Sequence, residues 1–141
     1  MTEPNPWLVA SSFSMLLPTI AYLATNEYAS AAITGGCFVF SVLHHATKPA
    51  YRPLLFVDIL FANLCVLVAT RTTLQWLPWS LSPYIAFLAY GTAVYHYGQH
   101  ASLFAWDPDP SVSTAWHASM HAVSSSISAF SILMSGVFRG V

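Results

Sequence analysis

The chain has 141 residues, of which 56% are hydrophobic and only 6% are charged. Soluble domains carry about a quarter charged residues, so this composition excludes an ordinary water-soluble fold and predicts a protein embedded in the lipid bilayer. The net charge of −1 provides no basic surface for nucleic acid or for tight binding to anionic lipid. We therefore expect a single all-α domain, a polytopic transmembrane helix bundle whose partners are membrane lipids.

Five stretches of about 20 mostly apolar residues are long enough to cross the hydrocarbon core. The first begins near Trp7 without the positive region of a signal peptide, so we interpret it as a retained span. Lys48 and Arg52 mark a short connector that makes the second and third spans antiparallel neighbours. The segment LQWLPWSLSP, with two tryptophans and two prolines, suits the membrane interface better than a further span. The predicted spans are residues 7–25, 28–47, 53–70, 81–98 and 113–138.

The last predicted span is rich in small residues that permit close helix packing in lipid, which predicts a central position in the bundle. Asp107 and Asp109 precede it in WDPDPS and predict turns, with Ser111 or Ser113 as the helix cap. The small polar residues at helical spacing are Ser124, Ser128, Ser131 and Ser135.

Ionisable residues within apolar spans are costly and are the informative ones in this sequence. Asp58 lies about five residues inside the third span, where it should face protein or a wet cavity. All six histidines fall near span ends, and with five spans those ends lie on the side of the membrane that bears the amino terminus. The histidines are His44, His45, His96, His100, His117 and His121. The sequence therefore predicts that the histidines and Asp58 gather in one leaflet.

The spacing of three histidines predicts a zinc site. His117 and His121 form H-x3-H, which places two imidazoles on one helical face where they can hold one metal ion. His45, at the end of the second span, supplies a third ligand at a similar depth. Three histidines leave a fourth position for water, which is the arrangement of a catalytic rather than a structural zinc site.

Asp58 and Ser41 are the candidate catalytic residues beside this site. A carboxylate near a zinc-activated water can accept its proton during attack on a carbonyl, so Asp58 is the candidate base. Ser41 precedes His45 by four residues and shares its helical face. The structural alternatives remain open, because Asp58 could partner a histidine or a helix end and Ser41 could bond its own helix backbone.

The pattern Ser41-x3-His45, then Asp58 at the head of the next helix and His117-x3-His121 in the last, resembles the CREST superfamily. This superfamily includes alkaline ceramidases, adiponectin and progestin receptors and myomaker-like proteins. The tripeptide Asp58-Ile59-Leu60, together with the motifs LLPT at residues 16–19 and LHHA at residues 43–46, is most similar to the myomaker-like branch. The resemblance implies zinc bound by the three histidines, with Asp58 contacting the metal-bound water and Ser41 the site or an oxyanion. It also implies an extracytosolic amino terminus. Family members usually have seven helices, so this chain is expected to lack two between its fourth helix and its last.

Three classes of function follow. The first is an integral membrane, zinc-dependent hydrolase acting on a lipid amide or ester. The second is a non-enzymatic, myomaker-like remodelling protein with a structural zinc, and the third is a haem protein with two axial histidines. His44, His96 and His100 have no assigned role: the aromatic residues around them favour an interfacial belt, and the alternative is that they line the entrance to the site. The aromatic residues are Tyr95, Tyr97, Trp106 and Trp116. The sequence does not predict the oligomeric state.

Overall fold

The computed structural model describes residues 4–47, 52–75 and 80–139, and within them it contains helices and no strands. This confirms the predicted all-α class. Five helices follow one another along the chain: α1 Pro6–Ala24, α2 Tyr28–Ala46, α3 Arg52–Gln75, α4 built of Leu81–Gly91, Thr92–Tyr97 and Gly98–Ala101, and α5 Pro110–Arg139. A short 3₁₀ turn at Phe104–Trp106 connects α4 to α5.

Four of the helices are long and apolar enough to cross a membrane, which makes the chain a membrane-like helical protein. The qualifying stretches in the described residues are Pro6–Ala24, Tyr28–Ala46, Pro53–Gln75 and Pro110–Val137. Helix α4, which matches the predicted fourth span, is not among them. Its regular α-helical part covers only Leu81–Gly91, because the wider π-helical turn Thr92–Tyr97 interrupts it.

Three helices extend three or more residues beyond their predicted bounds, and one of them is α4, which continues past residue 98 to Ala101. Helix α3 continues past residue 70 to Gln75, and its Arg71 forms an ion pair with Glu27 at 3.5 Å. Helix α5 begins at Pro110 rather than near residue 113. Its cap is Asp109, whose carboxylate accepts from the Ser111 amide at 2.8 Å, so the expected serine cap is wrong. The Ser111 hydroxyl also donates to this carboxylate and, with the amide, lowers the pKa of Asp109 below its ordinary value.

Helix α1 is continuous but contains a tighter turn before its proline. The 3₁₀ turn Phe13–Met15 includes Ser14, the residue whose carbonyl would meet the ring of Pro18 in a regular helix. The tighter turn relieves this clash, so Pro18 is accommodated without ending the helix. The connector residue Lys48 and the tryptophans of LQWLPWSLSP fall in positions 48–51 and 76–79, outside the described residues.

Helix α1 lies between α2 and α5, the two helices that carry the histidines of interest. It packs along both, whereas α2 and α5 do not approach each other closely through their backbones in the described residues. Helix α5 also packs against α4, and α3 packs mainly against α2. Gly36 of α2 allows the close approach of α3, since a Cβ there would meet the ring of Phe61.

Polar contacts define the two ends of the bundle. We call the first of these the histidine end. There the backbone N–H of Asn5 donates to the His45 carbonyl at 3.1 Å, and the side-chain Nδ2 of Asn5 donates to the Thr114 hydroxyl at 2.9 Å. The start of α1, the end of α2 and the start of α5 therefore meet there. At the opposite end, Tyr22 and Thr72 join α1 to α3 through a hydroxyl pair at 2.9 Å.

Candidate metal centre

Three histidine rings from two helices converge at the histidine end. His117 and His121 lie one turn apart on α5, and His45 lies in the last turn of α2. Their ring centroids are 5.0 Å apart for His117 and His121, and 5.1 and 5.4 Å from His45 to these two rings. One ligand atom from each of the three lies within 4.8 Å of the others. The predicted set of three histidines is therefore brought together.

The cluster is shielded from solvent, and one of its nitrogens has no partner. His45 and His121 are buried, and His117 is half-buried. His45 Nε2 is buried and has no hydrogen-bond partner among the described residues. Native structures pair nearly all buried polar atoms, so an unpaired one in a cluster of imidazoles requires an explanation such as an ion.

A serine on α1 orients the ring of His121. The Ser11 hydroxyl lies 2.9 Å from His121 Nδ1 and 3.0 Å from the Leu8 carbonyl. Because a carbonyl can only accept, the single hydroxyl proton goes to Leu8, and Nδ1–H of His121 donates to Ser11. This tautomer leaves the lone pair on Nε2 of His121. Metal-ligating histidines usually donate their second ring nitrogen to a neighbour in this way.

The spacing of the ligand atoms suits one small cation after modest side-chain rotation. Nitrogens bound at 2.0–2.1 Å to a tetrahedral zinc lie about 3.3 Å from one another. The separation of up to 4.8 Å can therefore close by about 1.5 Å through χ rotation of the imidazoles. Neutral imidazole nitrogens are common zinc ligands, and three of them leave a fourth coordination position.

Comparison with protein-family models, curated proteins and solved structures finds no match.

Asp58 lies on α3, half-buried, and is not part of the converging ligand set. Its carboxylate is close enough to the Cys37 thiol of α2 and the Tyr95 hydroxyl of α4 to interact with both electrostatically. No hydrogen bond from the described residues reaches it. These two neighbours place Asp58 toward α2 and α4, and its carboxylate is not among the ligand atoms that converge.

Ser41 is fully buried, one turn from His45 on the same face of α2. Its hydroxyl lies 3.0 Å from that of Ser12, which in turn donates to the Leu8 carbonyl at 2.8 Å. Ser41 therefore donates to Ser12 and joins α2 to α1. A catalytic role for Ser41 stays a prediction.

The other three histidines lie outside the cluster. His44 is half-buried with its ring 4.9 Å from that of His45, whereas His96 and His100 are exposed on α4. Aromatic rings surround this end of the bundle: Tyr95 contacts Trp106 at 5.3 Å and Phe104 contacts Trp116 at 4.8 Å.

Sequence reasoning missed two residues that organise the site, Ser11 and Asn5. Asn5 caps α1 by accepting from the amides of Trp7 and Leu8, and it also joins α1 to α2 and α5. An asparagine directly before a proline is a recognised signal for a helix start, so this cap was readable from the sequence. Ser11 offered no such signal, because a serine near the start of a membrane helix commonly bonds its own backbone.

Proposed function

We propose that this protein is a multi-pass integral membrane protein that binds one zinc ion through His45, His117 and His121 and hydrolyses a lipid amide or ester. The observation that carries the proposal is the convergence of three ligand atoms within 4.8 Å, from two helices, with a buried His45 Nε2 that has no partner in the part of the chain that the structure describes. The hydrogen bond between Ser11 and His121 supports the proposal. It places the ring proton of His121 on Nδ1 and leaves the lone pair of Nε2 available to a metal ion.

The chemistry follows from the types of residue present. Bound zinc lowers the pKa of water toward about 7 and polarises a carbonyl. In this proposal His45, His117 and His121 hold the ion, and Asp58 accepts the proton from the attacking water as general base. Asp58 is assigned as a base rather than as a fourth ligand because it is not among the converging ligand atoms.

The proposed substrates are lipids, because the site lies at one end of helices that are apolar enough to lie in a bilayer. The resemblance to the CREST superfamily favours an amide such as that of ceramide, and this membership is itself part of the proposal. Lipid extract rather than a single compound is the appropriate first substrate, since the residues do not distinguish an amide from an ester.

The test begins with the metal content of purified protein, measured by mass spectrometry. We expect about one zinc per chain in the wild type and loss of zinc in His45→Ala and His117→Ala. His44→Ala is the matched control, because its ring lies next to His45 but outside the ligand set. Full zinc content in both ligand variants, or none in the wild type, would contradict the site.

Asp58→Asn then separates catalysis from metal binding. It keeps the size of the side chain but removes the proton acceptor, so zinc should be retained while release of fatty acid falls by about 10²–10⁴-fold. Zinc loss in this variant would instead assign Asp58 to holding the metal. Zinc-loaded wild type that releases nothing from any lipid class would refute the hydrolase.

A structural zinc in a membrane-remodelling protein is the second candidate. The hydrogen bond between Ser41 and Ser12 favours this candidate, because it gives Ser41 a role in helix packing instead of catalysis. The haem alternative is disfavoured, because three imidazole rings in mutual contact leave no plane for a porphyrin between any two of them. A Soret band in purified protein would reverse this judgement.

A further inference from the structure

Helix α3 has the most exposed surface of the four long apolar helices. Only 6% of its apolar window is buried within the bundle, against 28–33% for the other three. Its mean hydropathy of 2.1 is also the highest of the four. Helix α3 therefore lies at the edge of the bundle, with most of its surface left uncovered by the described residues.

One set of exposed side chains on α3 follows a regular pattern along the helix, within a wider exposed surface that also includes Leu55, Ile59 and Ala62. Phe56, Leu60, Asn63 and Leu67 are separated by four, three and four residues, and Leu74 continues the series seven residues later. The four apolar members are 44–68% exposed, and Asn63 is exposed as well. Thr70 occupies the intervening position and pairs with Tyr84 of α4. Alternating steps of three and four give the 3.5-residue repeat that keeps a helical face turned toward a partner helix.

Asn63 stands in the middle of this face. It lies ten residues from Pro53 and twelve from Gln75, about 15 and 18 Å from the two ends of the apolar stretch of the helix. Its Nδ2 donates to the Ile59 carbonyl at 2.8 Å, and no described residue donates to its Oδ1. At the middle of a bilayer, no water is present to bond this oxygen, so the amide needs a partner from another helix.

We infer that this face, Phe56, Leu60, Asn63, Leu67 and Leu74, is a self-association surface through which two copies of the chain pair. A second copy is the occupant because an amide carries both a donor and an acceptor. Two Asn63 side chains related by a two-fold axis therefore satisfy each other. Copies inserted with the same topology have parallel α3 helices, which brings Asn63 opposite Asn63 at the same depth. The 3.5-residue repeat then gives a left-handed crossing of about 20°.

The inference rests on the membrane placement of α3 and not on the metal. One polar residue in an apolar seam fixes register and partner number in paired helices. Asp58, two residues after Phe56, lies on the opposite side of α3 from this face, and the clustered histidines belong to α2 and α5, so the face contains no residue of the proposed site. The proposals of self-association and of zinc binding can therefore be confirmed or refuted independently of each other.

Cysteine cross-linking in phosphatidylcholine vesicles tests the geometry. In a Cys37→Ala, Cys65→Ala background, we expect Leu67→Cys to form disulfide-linked dimers under mild oxidation. The matched control is Ala62→Cys, which is exposed on α3 but turned about 120° away from the seam. Equal cross-linking at both positions, or at neither, would overturn the inference.

Asn63→Leu tests the amide, with self-association measured by energy transfer between labelled copies in the same vesicles. Loss of the interhelical hydrogen bonds should weaken pairing about 3- to 30-fold, and Asn63→Gln should restore part of it. Unchanged pairing in Asn63→Leu would contradict the role of Asn63.

Alkaline carbonate extraction of the wild type distinguishes a failure of the membrane placement from a failure of the pairing surface. Extracted protein would refute the membrane placement and the proposed function together, whereas retained but monomeric protein would refute only the seam.

Discussion

Ser11 is the side chain whose role in the site can be tested most directly. Its hydroxyl accepts from His121 Nδ1 and so holds the ring with Nε2 free for a metal. Ser11→Ala should lower zinc affinity about 10- to 100-fold, the usual effect of removing such a partner, and Ser11→Thr should preserve it. Competition with a coloured chelator measures the affinity.

The neighbouring Ser12→Ala is the control for this prediction. Ser12 donates to the same Leu8 carbonyl, but its hydroxyl meets Ser41 instead of an imidazole. We expect its zinc affinity to stay within a few-fold of wild type. An equal loss of zinc affinity in both variants would mean that Ser11 contributes only to helix packing.

The histidine cluster could be predicted from the sequence because helical periodicity is a local property. H-x3-H fixes His117 and His121 on one face whatever surrounds them. The partnership with His45 also followed from the alternation of helix ends. The bond from Ser11 could not be predicted, since it depends on how α1 is rotated between α2 and α5, and no local pattern specifies that rotation.

At the α2–α3 contact, Gly36 makes a specific packing prediction. A Cβ at this position would collide with the Phe61 ring, so the ring must shift away from its contact with Phe40. Gly36→Ala should destabilise the bundle by about 1–3 kcal/mol, the typical cost of overpacking. Thermal unfolding of the protein in detergent provides the measurement.

Gly91→Ala is the matched variant in α4, because a Cβ there meets nothing within 4 Å. Alanine favours helix over glycine by about 1 kcal/mol, so this variant should be neutral or slightly stabilised. If the two variants unfold at the same temperature, α2 and α3 do not pack as closely as described.

Helix type and order were predictable from hydrophobic runs, but three local features were not. The π-helical turn Thr92–Tyr97, the 3₁₀ turn Phe13–Met15 and the cap at Asp109 depend on backbone hydrogen bonding within one or two turns. Hydropathy averages over about 19 residues and cannot resolve such features. For the same reason the predicted end of the third span, residue 70, fell short of Gln75.

The arrangement of the bundle ends predicts which residues share a side of the membrane. Single cysteines at Thr47 and His100 should react with an impermeant thiol reagent from one side of sealed vesicles, and those at Asn26 and Gln75 from the other. The background lacks Cys37 and Cys65. Reaction of Thr47→Cys and His100→Cys from opposite sides would separate α2 from α5 and refute the cluster.

The position of α1 has a thermodynamic consequence. Ser11 and Ser12, adjacent in sequence, bond to the two helices that would share a zinc ion, while those helices barely meet through their backbones. If the proposed zinc ion binds, docking of α1 and capture of the ion are linked equilibria, and each strengthens the other by the same factor. Zinc should therefore slow amide hydrogen exchange in α1, although α1 provides no ligand. A variant that loosens the docking of α1 should in turn lower the affinity for zinc. The first helix would then report whether the ion is bound.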